Sequence, residues 1–391
     1  MTVIDIRNIF SDRNIALMDV TATHLYYTEK KYENGKCDLY ILEYNRSSRR
    51  EKLVTNYSLD DPSLIDHIYV FEKTMMIVLE NGSNSLWLIE IDKKSGGELN
   101  RRKIVCTGTF TECLPLDNQH LLIYTSPDQM NAEVFRKYKE ITGCDYLCYM
   151  YDLKTNQKHF VKIPIIASIG SGNVKLMNIQ GESYLILLDP FGDEETKENY
   201  FKEQRWINTD IRDNIWFCKT SDAIEQMESG GENIRKQCIA SADIKALVRY
   251  MGSDLDKVYF RAKEFKSSIE KICSFDIAEN TLTVEATLEP PEKNTSYIVE
   301  EKPFKAFTVT KGRARTVVQG VVGSDAELSY NNDLGKFITC INDRYIITNR
   351  QIFSEESKRT LSYYYICDCS SDKSESYDCN CYIKGNTLVI Y

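Results

Sequence analysis

The chain has 391 residues, 49 of them Lys or Arg against 58 Asp or Glu, and a net charge of −9. With 42% hydrophobic and 27% charged residues it can build a packed core, which excludes a disordered chain. The basic residues are scattered, with pairs such as Arg49-Arg50 and Arg101-Arg102 but no stripe, so the footprint of nucleic-acid binding is missing.

Aromatic residues are frequent, 25 Tyr and 15 Phe against 8 Pro, which suits many half-buried strands. The N-terminal stretch Met1-Thr2-Val3-Ile4-Asp5-Ile6-Arg7 carries charge where a secretory leader needs an apolar run. No run of about 18 apolar residues occurs, and a membrane partner is not expected. The 13 cysteines are odd in number and sit inside apolar segments such as Tyr146-Leu147-Cys148-Tyr149, as reduced thiols do. A cytoplasmic location is expected.

Taken in chain order, one pattern recurs eight times: a short apolar strand, a polar turn, then a second strand rich in Leu, Ile, Val and Tyr. The second strands open at His24, Met75, His120, Tyr184, Lys257, Ala306, Tyr345 and Thr387, roughly 40 to 70 residues apart. A third strand often follows and closes on an acidic turn, as at Asp92, Asp152, Asp276 and Asp368, where a carboxylate can accept nearby backbone N–H groups. A more polar fourth strand comes next, for example Lys158 to Ile163 or Arg235 to Ile239. The unit at about 294 to 332 fits the pattern least well.

Four antiparallel strands per repeat predict an all-β β-propeller of seven or eight four-stranded blades, formed by residues 1–391 as a single domain. The phrasing resembles the TolB-like and WD-type propeller families at fold level. That resemblance implies strands stacked as blades and no particular chemistry. The sequence stops on a second strand, so the segment Thr2 to Ile6 is expected to join the last blade and protect its edge.

Two insertions, 126–143 and 190–214, fall between second and third strands of consecutive units and are expected on one face. The first predicts a helix with Ser126 as N-cap, Pro127 at its first position, and Gly143 as the stop. Its apolar stripe reads as Met130, Val134, Tyr138 and Ile141, with Glu133 and Lys137 paired outward. The second is acidic at Asp193, Glu194, Glu195 and Glu198 and then carries Tyr200, Phe201, Arg205 and Trp206. Tyr138, Tyr200, Arg205 and Trp206 are therefore candidate anchors for a protein or peptide partner. The competing reading pins the same aromatics onto the strands beneath.

Catalytic signatures are absent. There is no Gly-rich phosphate cradle, no His-Glu-x-x-His and no Gly-x-Ser-x-Gly elbow, and Gly170-Ser171-Gly172 lacks the flanking pattern. Four histidines occur: His24, His67, His120 and His159. His24 and His120 open equivalent strands, a placement that suits half of a metal or acid/base site, though local hydrogen bonding in turns accounts for them more simply. Cys367, Cys369, Cys379 and Cys381 would share one face if their strands paired as a hairpin with Cys369 opposite Cys379 and Cys367 opposite Cys381. Flat strands do not wrap a tetrahedral ion, so neither zinc nor any other cofactor is expected there.

Read as a whole, the sequence points to a non-enzymatic binding module or scaffold that docks a protein or peptide on the face bearing the insertions. The alternative is a propeller-type hydrolase or lyase acting on a carbohydrate or peptide-like substrate at the central channel.

Overall fold

The computed structural model describes residues 2–6, 13, 15–21, 23–33, 36–59, 65–71, 73–80, 84–144, 146–163, 166, 173–189, 214–240, 246–264, 269–288, 293–301, 304–354, 359–371, 373–377, 381–384 and 387–391. Their strands form seven four-stranded sheets, each with its strands in sequence order, and one three-stranded sheet in which the N-terminal strand lies beside the last strand. The fold is an all-β propeller of eight blades, and the two α-helices among the described residues are attachments to it. All eight expected second strands lie second in their sheets, including that of the unit near 294 to 332, whose strands span Thr295 to Asn331.

By internal packing the chain forms two compact units. One comprises residues 10–175 and 220–235 and holds the first three blades and both helices. The other comprises residues 1–9, 176–219 and 236–391 and holds the remaining five blades.

Within a blade, burial falls from the inner strands outward. The third blade, in the first unit, illustrates it: β10 (Thr109–Pro115), β11 (His120–Ser126), β12 (Leu147–Asp152) and β13 (Lys158–Phe160). From His120 to Thr125 and from Leu147 to Asp152 every residue is buried, whereas β13 has none buried. Continuous apolar runs suit strands covered on both faces, and alternation is unnecessary there. The same gradient appears in the outer strands Glu98–Val105 and Thr281–Leu288, which each bury one residue.

The closing turns of the third strands are built as their residues require. The carboxylate of Asp92 accepts the Ser95 N–H at 2.6 Å, Asp276 that of Glu279 at 2.9 Å and Asp368 that of Ser370 at 3.0 Å. Asn45 does the same for Ser47 and Ser48. A feature without sequence warning is a β-bulge in the first strand of five blades, between Leu17 and Asp19, Ile65 and His67, Phe110 and Glu112, Tyr250 and Gly252, and Phe337 and Thr339. Each adds twist to its sheet.

The last sheet contains β30 (Cys381–Lys384), β31 (Thr387–Ile390) and β1 (Thr2–Asp5). The N-terminal strand joins this sheet as expected. It does so parallel to β31, with Thr2 opposite Thr387 and Asp5 opposite Ile390, and the sheet has three strands instead of four. The Ile6 N–H continues the ladder to the Ile390 carbonyl at 3.0 Å, and the Ile6 side chain is buried.

Candidate functional site

The first insertion forms α1 (Ala132–Thr142), shorter than expected. The carboxylate of Asp128 accepts both the backbone N–H and the side-chain amide of Asn131, which holds the chain in a turn and delays the helix to Ala132. Ser126 is the last residue of β11 and caps nothing. Gly143 ends the helix in the left-handed conformation, at φ +72°, and returns its N–H to the Lys139 carbonyl. Glu133 and Lys137 pair outward at 2.9 Å.

Of the expected apolar stripe only Tyr138 lies on the buried face. Phe135, Tyr138 and Thr142 face inward, while Met130 is 87% exposed, Ile141 55% and Val134 38%. Phe135 sets the phase by packing over Gly108, whose φ is +97°: a β-carbon there would meet the Phe135 ring and the Ser126 carbonyl, each at 2.6 Å. Tyr138 donates to the Val161 carbonyl at 2.8 Å and lies 3.3 Å from that of Cys148. Burial pushes its phenol far above the usual range. Tyr138 thus fastens the helix and is withdrawn from any external surface. Tyr200, Arg205 and Trp206, the other candidate anchors, lie outside the described residues.

The histidines resolve into different settings. His24 stands opposite Asn45, with Nδ1 2.8 Å from the Thr23 hydroxyl and Nε2 3.0 Å from the Asn45 amide, a locally satisfied ring. His120 stands opposite Asp152, the closing residue of its third strand. Asp117, in the turn before β11, accepts the backbone N–H groups of Gln119 and His120 at 2.7 Å each and lies 3.0 Å from His120 Nδ1 through both oxygens. A carboxylate can only accept, so Nδ1 carries the proton, and in the neutral ring Nε2 carries the lone pair.

Opposite that lone pair are two further carboxylates. Glu228 ends α2 (Thr220–Glu228), and its Oε1 lies 3.5 Å from His120 Nε2. The ligand-capable atoms of His120, Asp152 and Glu228 all fall within 4.8 Å of one another. Both His120 and Asp152 are buried, and Glu228 is exposed. Burial alone would raise the Asp152 carboxyl, but hydrogen bonds from the Thr155 hydroxyl, the Lys154 and Thr155 backbone and the Gln119 amide outweigh it and hold the group at about 2. Such a group is ionised at neutral pH. A ring nitrogen with two carboxylates is a donor set that can hold a divalent cation or move a proton.

Sequence reading missed Glu228 because α2 was not expected. Its signal is present in Ala223, Ile224 and Met227, an apolar face at helical spacing, with Asp222 in the first turn and Gly230 just beyond the end. Thr220, Ala223, Ile224 and Met227 are buried, and the helix packs near β13.

The cysteine hairpin does not form. β28 (Arg359–Asp368) turns at once into β29 (Lys373–Tyr377), which puts Ser374 opposite Cys367. Cys381 belongs to the next sheet, opposite Ile390. Cys367 and Cys369 pack with Tyr330 and Phe337, whereas Cys381 packs with Leu388 and Ile390. Asp368 draws the turn tight by accepting the Ser370 N–H, leaving no room for the longer loop the hairpin needs. Cys379 lies outside the described residues, and among the described cysteines none is in a disulfide.

These features define an eight-bladed β-propeller carrying an inserted helix and one His–carboxylate group in its first compact unit. No protein-family model and no curated protein matches the sequence. Among solved structures, the chain is similar to one from a structural and mechanistic analysis of two prolyl endopeptidases, at 13% identity and a TM-score of 0.48, over 94% of this chain and 50% of that one. It thus spans about half the length of that protein. It is also similar to the β-propeller domain of the Trilobed protease from Pyrococcus furiosus (10% identity, TM-score 0.43, 93% and 97% covered). A third is an oligogalacturonate lyase in complex with manganese (9%, 0.41, 90% and 96%). At such values no residue and no activity carries over. No helix among the described residues is long and apolar enough to cross a membrane.

Proposed function

We propose that this propeller is a non-enzymatic binding module that docks a protein or peptide on the surface carrying α1. The observation behind this reading is the pair of exposed apolar residues Val134 and Ile141 on α1, beside the face fastened by Phe135 and Tyr138, with exposed Met130 in the turn just before the helix. A rigid helix presenting apolar side chains between charged ones, here Glu133 and Lys137, suits a partner segment with complementary apolar anchors. Tyr200, Arg205 and Trp206 of the second insertion are proposed to contribute to the same recognition.

Met130→Glu combined with Ile141→Glu is expected to abolish recovery of a partner from native lysate, identified by mass spectrometry, with thermal melting unchanged. Exposed substitutions ordinarily shift stability by within about 0.5 kcal/mol, whereas hot-spot losses reach about 2 kcal/mol or more. Trp206→Ala tests the second insertion in the same assay. Retention of the partner by both variants overturns the reading.

The His120, Asp152 and Glu228 group favours a second reading, a hydrolase or lyase, because it places a potential base among carboxylates. Turnover of an oligosaccharide or peptide panel that is lost in His120→Gln would support it over the binding module.

A further inference from the structure

The His120 side chain is the sharpest anomaly in the first compact unit. The residue is 8% exposed, and Nε2 is buried with no hydrogen-bond partner. A buried polar atom of this kind is costly to desolvate unless something satisfies it. Glu228 Oε1, at 3.5 Å, is the carboxylate nearest to hand, and it is an acceptor, as is Asp152. With Nδ1–H committed to Asp117, the neutral ring presents a lone pair to two other groups that also present lone pairs. In the neutral ring three acceptors converge, and Nε2 finds no donor among the described residues.

Asp152 retains capacity for a further partner. Its Oδ1 takes the Lys154 and Thr155 N–H groups and the Gln119 amide, but Oδ2 accepts only the Thr155 hydroxyl, at 2.5 Å. Among the described residues, neither Asp152 nor Glu228 is ion-paired to a lysine or arginine. The last turn of α2 has no basic residue either, so the partial negative charge of its C-terminus is added to that of Glu228. The net field at this point calls for a cation.

We propose that His120 Nε2, Asp152 and Glu228 bind one divalent transition-metal ion of the zinc type, with solvent completing its coordination. One imidazole and two carboxylates match the nitrogen and oxygen donors of such ions, whereas Ca²⁺ takes six to eight oxygens. The Asp117 contact reproduces the carboxylate–histidine pairing that orients metal-bound imidazoles and raises their basicity. Three protein ligands leave at least one position for solvent or substrate, as in open sites. The ligands come from three elements, the start of β11, the end of β12 and the end of α2, so the ion would also tie α2 to the third blade. The inference is independent of the docking reading.

Calorimetric titration of chelator-stripped, reduced full-length protein with Zn²⁺ tests this, with Co²⁺ absorption as a second readout of nitrogen and oxygen ligation. One ion per chain is expected. Glu228→Gln changes an exposed group and keeps the fold, and it is expected to weaken binding at least tenfold. His120→Gln is expected to abolish binding. Asp117→Asn keeps acceptors for the turn and is expected to weaken binding about 10- to 100-fold by releasing the ring. Cys367→Ser controls for thiolates and is expected to leave binding unchanged. Absence of stoichiometric Zn²⁺ in the wild type, or equal affinity in Glu228→Gln as melted and folded alongside it, overturns the proposal.

Discussion

The Tyr138 hydroxyl and the Val161 carbonyl, 2.8 Å apart and both buried, join α1 to the chain just beyond the outer strand of the third blade. Tyr138→Phe removes the donor and leaves that carbonyl without it, at an expected cost of about 1–2 kcal/mol. Tyr138→Ala also opens a cavity and is expected to cost about 3–5 kcal/mol. Urea unfolding of the two variants gives both numbers. A Tyr138→Ala protein as stable as the wild type would mean that α1 is not fastened here.

Gly108 offers a separate handle on the same helix. Gly108→Ala puts a methyl group 2.6 Å from the Phe135 ring at a φ of +97°, which a side chain rarely tolerates. Loss of about 2 kcal/mol or more is expected, with raised amide exchange in 132–142 relative to the strands of the first two blades. Uniform exchange throughout would show that the strain is absorbed elsewhere.

The Asp152 carboxyl, held at about 2 in the folded chain, titrates near 4 when unfolded. Its folded form is depressed, so its contribution to stability is complete above about pH 4 and disappears as the pH falls through about 2. Asp152→Asn keeps an oxygen for the turn and removes the titration. Unfolding free energies measured between pH 2 and 7 are expected to fall less steeply in the variant over that window. Parallel profiles would refute the assignment.

Thiol labelling distinguishes the cysteines. Burial pushes Cys340 up to about 12 and Cys148 well above its ordinary range, so both are protonated and enclosed at pH 8. Cys238 is exposed. Labelling of native protein followed by peptide mapping is expected to modify Cys238 at least tenfold faster than Cys148 or Cys340. Equal rates in native protein would contradict the burial of those two strands.

The parallel pairing of Thr2 to Asp5 with Thr387 to Ile390 makes the N-terminal strand a cover for the edge of β31. Deleting residues 1–10 is expected to lower the melting temperature and to promote aggregation through that exposed edge. Ile6→Ala, which retains the strand, is expected to cost about 2–5 kcal/mol through its buried side chain. A truncated protein with unchanged solubility and melting would show that the pairing contributes little.

Much of the propeller was legible locally. Tyr184 to Leu188 and Tyr345 to Thr348 announce inner strands because strands covered on both faces need continuous apolar runs, and that demand is written into consecutive residues. Asp92, Asp152 and Asp368 announce closing turns because their carboxylates reach backbone only two or three residues away. The phase of α1 was not legible. Val134 and Ile141 are apolar enough to be core, and only the placement of Phe135 over Gly108 decides which side faces in. The cysteine register failed for a related reason: pairing depends on where the chain turns, and Asp368 turned it before the anticipated loop.

The residues themselves thus determine the repeat, the inner strands and the turn chemistry, all governed by interactions across a few positions of chain. Tertiary structure alone decides that Glu228, more than a hundred residues beyond His120, comes to lie 3.5 Å from its Nε2. Nothing local to either residue records that meeting, since it depends on α2 burying Ala223, Ile224 and Met227 and so carrying its last carboxylate to the ring. Long-range packing sets such distances, and a single sequence does not encode them in any short-range pattern.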